Sequence, residues 1–410
     1  MSNFLNKNIN LFSFIFYFLI FTYVYIFSLN NIINFWTYNE LHINYSAGFI
    51  PRGFIGTIML KLDSLGFEKR LFFSSLFYIF TIINFYLFLK ILKIKIDNTL
   101  IFIFFAFNPS FILFNFYDLG GYSRLEIFGI FSLLLHTYVA IIKNDKKNQK
   151  IYYDRCYFFL IFPLLIINVL IHEVNFFIIP FHIILTWLII KSNTSVSSKI
   201  KYYFPYVIFI PIAFYFWFNP ISAEKALLIY EQIQDKQNIN PSIMEIIGAP
   251  ISTRSEFSYM INPVTNLVKY FSILMFYLIP ILIVMNSKDH FTRQKIYINV
   301  LVVLPLFFLF YIGRDWGRWI HIILFVVFCI NIYFIKSKNF LINKNKNKNK
   351  VLVLFFVLLV FFQFTFTRIP HCCNLIEKNI SINGGIISKL IVFNNLINNK
   401  IDVKSRFKSF

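Results

Sequence analysis

Charged residues are scarce in this chain. Asp, Glu, Lys and Arg make up 14% of its 410 residues, whereas a soluble globular domain has about a quarter. Hydrophobic residues reach 58% and the mean hydropathy is +0.67. The low charge therefore excludes an ordinary soluble protein, and continuously apolar runs exclude the alternating pattern of a membrane β-barrel. The composition predicts an all-α, polytopic integral membrane protein with no large soluble domain.

Cysteine and acidic residues are also few. The four cysteines show no metal-ligand spacing, so we expect no cofactor and no structural metal, while a divalent ion stays an open alternative. The 18 acidic residues are outnumbered by 39 basic ones. Most lysines lie in short loops between apolar runs, which is typical of a topology signal. We therefore expect a lipid bilayer as partner and no nucleic acid.

The apolar runs predict eleven membrane spans, since about 20 apolar residues cross a bilayer. They cover residues 11–30, 71–89, 98–115, 127–142, 156–172, 174–190, 202–218, 265–285, 296–312, 320–335 and 351–367. The first run lacks a small-residue cleavage site and is interpreted as a retained anchor. Residues 1–367 thus form a membrane domain, and we expect 368–410 to be an interfacial tail, with a twelfth span over 382–397 as the alternative.

Basic residues occupy alternate loops, so the positive-inside rule places those loops and the N-terminus in the cytoplasm. The remaining connections face outward. They are residues 31–70, 116–126, the turn at His172-Glu173, 219–264 and 313–319. Within 219–264, residues Glu224–Gln237 predict a short helix that could form a partial lid. Every polar cluster considered below lies in one of these outward connections.

The first outer loop contains Glu40 and the segment Ala47–Gly56, with Arg52 between a proline and a glycine. Glycines let the backbone approach closely, and an arginine can bind phosphate through a bidentate fork. The alternative is an arginine that extends to lipid headgroups.

The second outer loop brings Asp118, Arg124 and Glu126 together beside Gly120-Gly121. The alternative is an ordinary short loop in which Arg124 pairs with an acid. The pair His172-Glu173 interrupts an apolar stretch, and a carboxyl buried there suits general acid–base chemistry. Its alternative is a simple turn between two helices, with Glu173 solvated.

The segment Gly313–Trp319, followed by His321, places several charges beside an apolar run. On a helix, Arg314, Arg318 and His321 share one face, and Asp315 can pair with Arg318 at i+3. Trp316 and Trp319 suit an interfacial belt or the stacking of a sugar. The alternative is a salt-bridged helix end at the membrane interface.

Arginines and carboxylates together at a membrane surface suit a lipid-diphosphate sugar donor. Arginines would stabilise the diphosphate charge, and a carboxylate would activate an acceptor hydroxyl. The candidate catalytic residues are Glu173, His172, Glu40 and Asp118. The candidate substrate-binding residues are Arg52, Arg124, Arg314, Asp315, Arg318 and His321.

The architecture resembles the GT-C-type membrane glycosyltransferases. It is also similar to Wzy-type polymerases of O-antigen or capsule units. The segments that carry this resemblance are Pro51-Arg52-Gly53, His172-Glu173 and Gly313–Trp319. Glu40 would match the acid of the family's first outer loop, although an Asp-x-Asp motif is missing there. The resemblance implies a polyprenyl-diphosphate-linked glycan as substrate, a bacterial inner membrane with a periplasmic site, and a chain-length regulator or other glycan-assembly proteins as partners.

Two other functions compete with glycosyl transfer. A transporter or flippase for an anionic lipid-linked glycan would also need arginines, but such proteins place charges near the midplane in repeat-related helices. A membrane acyltransferase would need a catalytic histidine, for which His172 or His321 could serve.

Overall fold

The structure is a computed structural model. It describes residues 2–30, 35–96, 99–112, 114, 124–145, 150–190, 196–233, 236, 239–249, 264–286, 293–313 and 315–335, and a few positions between 355 and 369. Over this part of the chain all regular secondary structure is helical. The prediction of an all-α fold is confirmed to that extent.

Sixteen α-helices are described. They are α1 Ser2–Asn30, α2 Phe35–Glu40, α3 Gly53–Ser64, α4 Lys69–Lys95, α5 Thr99–Ala106, α6 Glu126–Asp145, α7 Lys150–Cys156, α8 Phe162–Ile171, α9 Ile179–Ile190, α10 Val196–Tyr203, α11 Phe209–Phe218, α12 Ala223–Glu231, α13 Pro241–Gly248, α14 Val264–Asn286, α15 Arg293–Ile312 and α16 Trp316–Phe334. A π-helical turn, Tyr157–Ile161, joins α7 to α8, and 3₁₀ turns cover Tyr45–Ala47, Glu173–Ile178 and Phe204–Ile208.

Seven helical segments are long and apolar enough to cross a membrane: Asn8–Ile26, Leu71–Lys95, Ile151–Ile171, Glu173–Ile190, Lys199–Phe218, Gln294–Tyr311 and Trp316–Phe334. Each coincides with a predicted span, and the shorter apolar helices Glu126–Ile142 and Val268–Ile283 coincide with two more. The chain therefore has the composition and helix lengths of a multi-pass membrane protein.

The predicted span 98–115 differs from the structure. Helix α5 ends at Ala106, and turns follow. The Asn108 side chain accepts hydrogen bonds from the backbone N–H (2.9 Å) and the hydroxyl (2.6 Å) of Ser110. Such Asx turns compete with helical hydrogen bonding, and Pro109 cannot donate to a helix. The predicted span 351–367 lies mostly outside the described residues.

Helices α8 and α9 form a hairpin against α6. Near the start of α6, the Phe128 carbonyl accepts a hydrogen bond from Asn168 of α8 at 3.0 Å. Further along α6, His136 contacts Tyr153 of α7 and His182 of α9. The α7–α8 segment thus runs antiparallel to α6, and α9 returns parallel to it. The tip of the hairpin lies beside the first residue of α6, as the predicted tight turn at His172-Glu173 requires.

Helix α16 is the central helix. Protein surrounds 94% of its apolar window, against 22–56% for the other six candidate spans. It pairs with α15, and Asn299 and Asn331 exchange hydrogen bonds at 2.8 and 3.5 Å. The indole N–H groups of Trp316 and Trp319 donate to carbonyls at the end of α15, at Phe310 (3.0 Å) and Gly313 (3.2 Å).

Both tryptophans are buried. They satisfy the orphan carbonyls that every helix C-terminus leaves. Neither therefore forms the interfacial belt or the exposed sugar platform that the sequence suggested. Their indole groups hold the end of α15 against the start of α16.

Helices α12 and α13 lie in the long connection 219–264. Ile221, Ile229 and Met244 pack against Ile43 and Ile50, which lie between α2 and α3. The Asn240 backbone N–H donates to the Asn39 side chain at 2.6 Å. The helix predicted at Glu224–Gln237 is present as Ala223–Glu231, and it covers the segment that follows Glu40.

Candidate functional site

The candidate site is built from helix ends. Glu40 ends α2, Arg52 precedes α3, Glu126 begins α6, His172 caps α8, and Asp315 precedes α16. Arg52, Glu126 and Asp315 are at or next to the N-terminus of an α-helix, and His172 also precedes the 3₁₀ turn Glu173–Ile178. The partial positive charge of a helix N-terminus favours carboxylates there, which explains why Glu126, Glu173 and Asp315 lie where chain segments turn.

Arg52 is the centre of the site. Its Nη1 lies 2.7 Å from Glu40 Oε1, and its Nε and Nη2 lie 2.7 and 2.5 Å from the two oxygens of Glu173. This bidentate geometry is the strong form of an arginine–carboxylate pair. One guanidinium thus joins Glu40, which is 12 residues from Arg52 in the chain, to Glu173, which is 121 residues from it.

The backbone of Arg52 is strained. Its φ of 66° and ψ of 1° place it in the left-handed region, and it is the one non-glycine residue with positive φ among those the structure describes. Such a conformation costs about 1–3 kcal/mol and persists where surrounding contacts overdetermine it. The two carboxylates that hold its side chain are those contacts.

Close backbone packing brings Glu40 and Arg52 together. A Cβ on Gly56 would lie 1.9 Å from the Ile43 carbonyl oxygen, and one on Gly53 would lie 2.3 Å from the Tyr45 ring. Both positions therefore need glycine. Helix α3 can then lie directly against the segment after Glu40, which confirms the expected close approach around Arg52.

His172 has a fixed tautomer. Its Nδ1 accepts a hydrogen bond from the Val174 backbone N–H at 3.1 Å, so the proton is on Nε2. Nε2 lies 3.2 Å from Glu40 Oε1 and 3.6 Å from Glu126 Oε1. Because Nδ1 is already an acceptor, its 3.5 Å distance to Glu173 Oε2 is an approach of two acceptors and not an ion pair. His172 thus donates between two glutamates.

Glu40 is buried but strongly stabilised as an anion. Burial by itself raises the pKa of its carboxyl, but the charge of Arg52, the hydrogen bond from His172 and the charge of Arg124 outweigh it and lower the pKa to about 2. Arg124 Nη1 lies 3.9 Å from Glu40 Oε2. A carboxylate of such low pKa is a weak general base at neutral pH, so Glu40 suits a positioning role.

A second ion-pair group adjoins the first. Arg318, in the first turn of α16, donates to Glu126 Oε1 and to Asp315 Oδ2. The predicted i+3 pairing of Asp315 with Arg318 is confirmed. His172 links the two groups, since its Nε2 lies between Glu40 and Glu126.

His321 follows Arg318 on the same helix. Its Nδ1 lies 2.7 Å from the Ser110 carbonyl oxygen, and a carbonyl only accepts, so Nδ1 carries the proton and Nε2 carries the lone pair. The ring stacks on Phe114 with centroids 4.2 Å apart. The turn that ends α5 early therefore supplies the carbonyl that orients His321.

We define the charged cluster as Arg52, Arg124, Arg318, Glu40, Glu126, Glu173, Asp315 and His172. The arginine side chains are 9–12% exposed and Glu40 is 3% exposed. Three arginines face four carboxylates, so the cluster has one excess negative charge when His172 is neutral. It is a closed ion-pair network in this conformation.

The structure brings most of the predicted site residues together. Glu40, His172, Glu173, Arg52, Arg124, Asp315 and Arg318 belong to the charged cluster, and His321 adjoins it. Asp118 and Arg314 lie outside the described residues. Glu126 received no role from the sequence beyond its place beside Arg124, although an acid directly before an apolar run is typical of a helix N-terminus.

Metal binding has little support in the geometry of the described residues. Among them, no group of three His, Cys, Asp or Glu side chains is placed to hold one ion. The carboxylate oxygens of the charged cluster instead face guanidinium groups.

No protein-family model, curated protein or solved structure significantly matches this chain.

Proposed function

We propose that this protein is a membrane glycosyltransferase that uses a polyprenyl-diphosphate-linked sugar or oligosaccharide. The observation that supports it best is the convergence of Arg52, Arg124 and Arg318 from three distant chain segments at one end of the helical bundle. A diphosphate at headgroup depth needs several fork-shaped donors. With the diphosphate bound by these arginines, the polyprenyl tail of the donor would lie along the apolar helices.

Donor binding would proceed by exchange of partners. The arginines are held by carboxylates in the closed network, and a diphosphate competes for the same guanidinium nitrogens. When an arginine turns to the phosphate, its former carboxylate loses the charge that stabilised its anionic form and becomes a stronger base. Binding of the donor and activation of an acceptor hydroxyl are thus coupled through the same ion pairs.

We place the protein in the inner membrane of a bacterium, with eleven spans, a cytoplasmic N-terminus and the charged cluster on the periplasmic side. The product would be a surface polysaccharide. The basic loops support this orientation, since they alternate with the segments that carry the charged cluster.

The competing functions fit the geometry less well. A transporter would bind its substrate near the midplane, whereas these charges lie at helix ends. An acyltransferase would need a histidine with an accessible lone pair. The Val174 backbone N–H donates to Nδ1 of His172, and Nε2 of His321 is buried, so neither histidine presents such a lone pair.

Ligand binding tests the proposal directly. Purified protein in detergent is titrated with farnesyl diphosphate, and thermal unfolding is followed. We expect farnesyl diphosphate to raise the melting temperature in a concentration-dependent way. Farnesol and farnesyl monophosphate should raise it less. Arg318→Lys should reduce the stabilisation, because lysine cannot form the bidentate fork. Equal stabilisation by farnesol would show that only the lipid tail binds and would contradict the proposal.

Cellular glycan analysis tests the reaction. Cells that lack this protein should accumulate unextended lipid-linked glycan, and the wild-type gene should restore surface polysaccharide. The Glu173→Gln variant should restore less surface polysaccharide, because a neutral amide cannot form the bidentate ion pair with Arg52. The matched control Glu224→Gln changes an exposed carboxylate of α12 and should restore fully. An unchanged glycan profile in the deletion strain would refute the function.

A further inference from the structure

A small cavity lies directly beside the charged cluster, between the first turns of α6 and α16. Its polar lining consists of Arg124, Glu126, Arg318 and His321, and its other walls are apolar, including Phe114. In the closed ion-pair network this cavity has room for about one water molecule, so a larger ligand can enter only after the ion pairs around it separate. Two guanidinium groups, a carboxylate and an imidazole therefore share one compartment with hydrophobic walls.

Glu126 is the carboxylate of this cavity. Its Oε1 accepts from Arg318 and lies 3.6 Å from His172 Nε2. Its Oε2 is buried, and none of the described residues gives it a hydrogen bond. A buried polar atom in that state costs about 1–3 kcal/mol. A ligand that brings an O–H or N–H group into the cavity would remove this cost.

The other described carboxylates of the cluster are engaged differently. Both oxygens of Glu173 accept from Arg52. Glu40 is held by Arg52, His172 and Arg124. Asp315 accepts from Arg318 and is not among the cavity residues. Among these described carboxylates, only Glu126 lines the cavity and has an oxygen that could accept a hydrogen bond from a ligand.

His321 adds a second acceptor to the cavity. Because the Ser110 carbonyl takes the Nδ1 proton, the lone pair lies on Nε2. Two acceptors and two guanidinium donors in a compartment with an aromatic wall match neighbouring hydroxyl groups of a sugar. The chemical class that these groups would recognise is therefore a carbohydrate diol.

We propose that this cavity is the subsite for the acceptor sugar, and that Glu126 is the catalytic residue that takes the proton of the attacking hydroxyl. This assignment rests on the proposed glycosyl transfer. The hydroxyl O–H bond breaks and its proton passes to Glu126 Oε2. The oxygen forms a bond to the anomeric carbon of the donor, and the bond from that carbon to the phosphate oxygen breaks. The lipid diphosphate leaves with the electron pair, facing the arginines.

Partner exchange explains how Glu126 becomes active. In the closed network Arg318 neutralises Glu126, and Arg318 is also a proposed diphosphate ligand. Donor binding would draw Arg318 to the phosphate and leave Glu126 beside the acceptor hydroxyl. The ordered sequence is then donor first and acceptor second.

The test uses membranes that contain the full-length protein and the native lipid-linked glycan. Glu126→Gln should lower transfer by about 10²–10⁴-fold, the usual contribution of a general base. It should keep or strengthen farnesyl diphosphate binding, because Arg318 loses a competing anion. Glu224→Gln serves as the matched control and should transfer normally.

Chemical rescue separates a catalytic from a structural role. Glu126→Ala with added formate should recover part of its transfer, since formate supplies a carboxylate to the cavity, whereas acetate should recover less. Transfer by Glu126→Gln above one-tenth of wild type, or a Glu126→Ala protein that binds farnesyl diphosphate yet is not rescued, would overturn the assignment. An inactive wild type in the same membranes would instead refute glycosyl transfer itself.

Discussion

Helix α6 contributes to two polar regions, one built from ion pairs and the other from neutral hydrogen-bonded groups. Glu126, its first residue, belongs to the charged cluster. His136, ten residues further along and roughly 15 Å away at 1.5 Å per residue, belongs to what we call the histidine chain: Ser132, His182, His136 and Tyr153. The charged cluster consists of ion pairs at the end of the bundle. The histidine chain is fully buried and built from groups that are polar without a fixed charge.

The histidine chain shows how a bundle keeps polar groups away from its ends. The Nδ1 atoms of His136 and His182 lie 2.9 Å apart, with ring planes 7° from parallel. One Nδ1 must donate and the other accept. If His136 donates, Tyr153 donates to its Nε2 (3.0 Å) and His182 donates to Ser132 (3.4 Å), which donates to the Gly129 carbonyl (2.7 Å). Every proton then has an acceptor.

The difference follows from the cost of desolvation. Removing one partner from a buried ion pair leaves an uncompensated charge, whereas removing one partner from a neutral pair leaves only a dipole. The charged cluster can therefore exchange partners only where a substrate supplies new charge. The histidine chain has no such requirement and is suited to fixing the positions of α6, α7 and α9.

The largest expected effect is at Arg52. Arg52→Ala leaves Glu40 and Glu173 without their guanidinium and should destabilise the protein by about 3–5 kcal/mol. Thermal unfolding in detergent and membrane abundance measure this loss. The control Arg155→Ala removes an exposed arginine and should change stability by no more than about 0.5 kcal/mol. Equal melting of the two variants would contradict a buried, linked cluster.

A smaller loss is expected in the histidine chain. His136→Leu removes the partner of His182 Nδ1 and should cost about 1–3 kcal/mol. The double variant His136→Leu/His182→Leu removes both nitrogens and should be less unstable than the sum of the two single variants. A double-mutant cycle from thermal unfolding measures this coupling, and strict additivity would show that the two rings do not interact.

The pH dependence of stability should distinguish the two regions. The pKa of Glu40 is lowered to about 2 in the folded protein, so its contribution to stability is fully present above the ordinary glutamate pKa and is lost as pH falls toward 2. The melting temperature should therefore decrease below about pH 4.5. Glu40→Gln should flatten this part of the profile, and an unchanged acid slope would exclude Glu40 as its source.

The smallest effect is expected at an exposed ion pair. Lys201 lies 3.2 Å from Asp154 and its side chain is 45% exposed. Lys201→Ala should cost no more than about 0.2–1 kcal/mol, since water screens such pairs, and the cost should decrease further at high salt. A loss comparable to that of Arg52→Ala would show that exposure does not separate the two kinds of ion pair.

Much of the candidate site could be predicted from local sequence. His172-Glu173 interrupts an apolar stretch too long for one span, which predicted the turn that the structure has there. Asp315 and Arg318 are spaced for i+3 pairing on a helix, and they pair. Arg52 stands between residues that favour close packing, and glycines at 53 and 56 allow it. These inferences depend only on spacing and backbone preference.

Other features could not be predicted in this way. Nothing near Arg52 in the chain indicates that it would hold Glu173, 121 residues away. The tautomers of His172 and His321 depend on Val174 and on the carbonyl of the distant Ser110. The burial of Trp316 and Trp319 reverses the expected interfacial role, because carbonyls at the end of α15 require their indole N–H groups.

The sequence by itself determined the environment of this protein. Apolar content and run length dictate helices in a membrane, and the cost of charge in lipid favours arginines and acids at helix ends and in the connections between helices. Tertiary structure decided which of those charges meet, because ion-pair partners come from segments joined only by packing. It also decided that Glu126 keeps an oxygen directed to no neighbouring residue among those described, since that property depends on the position of every surrounding donor.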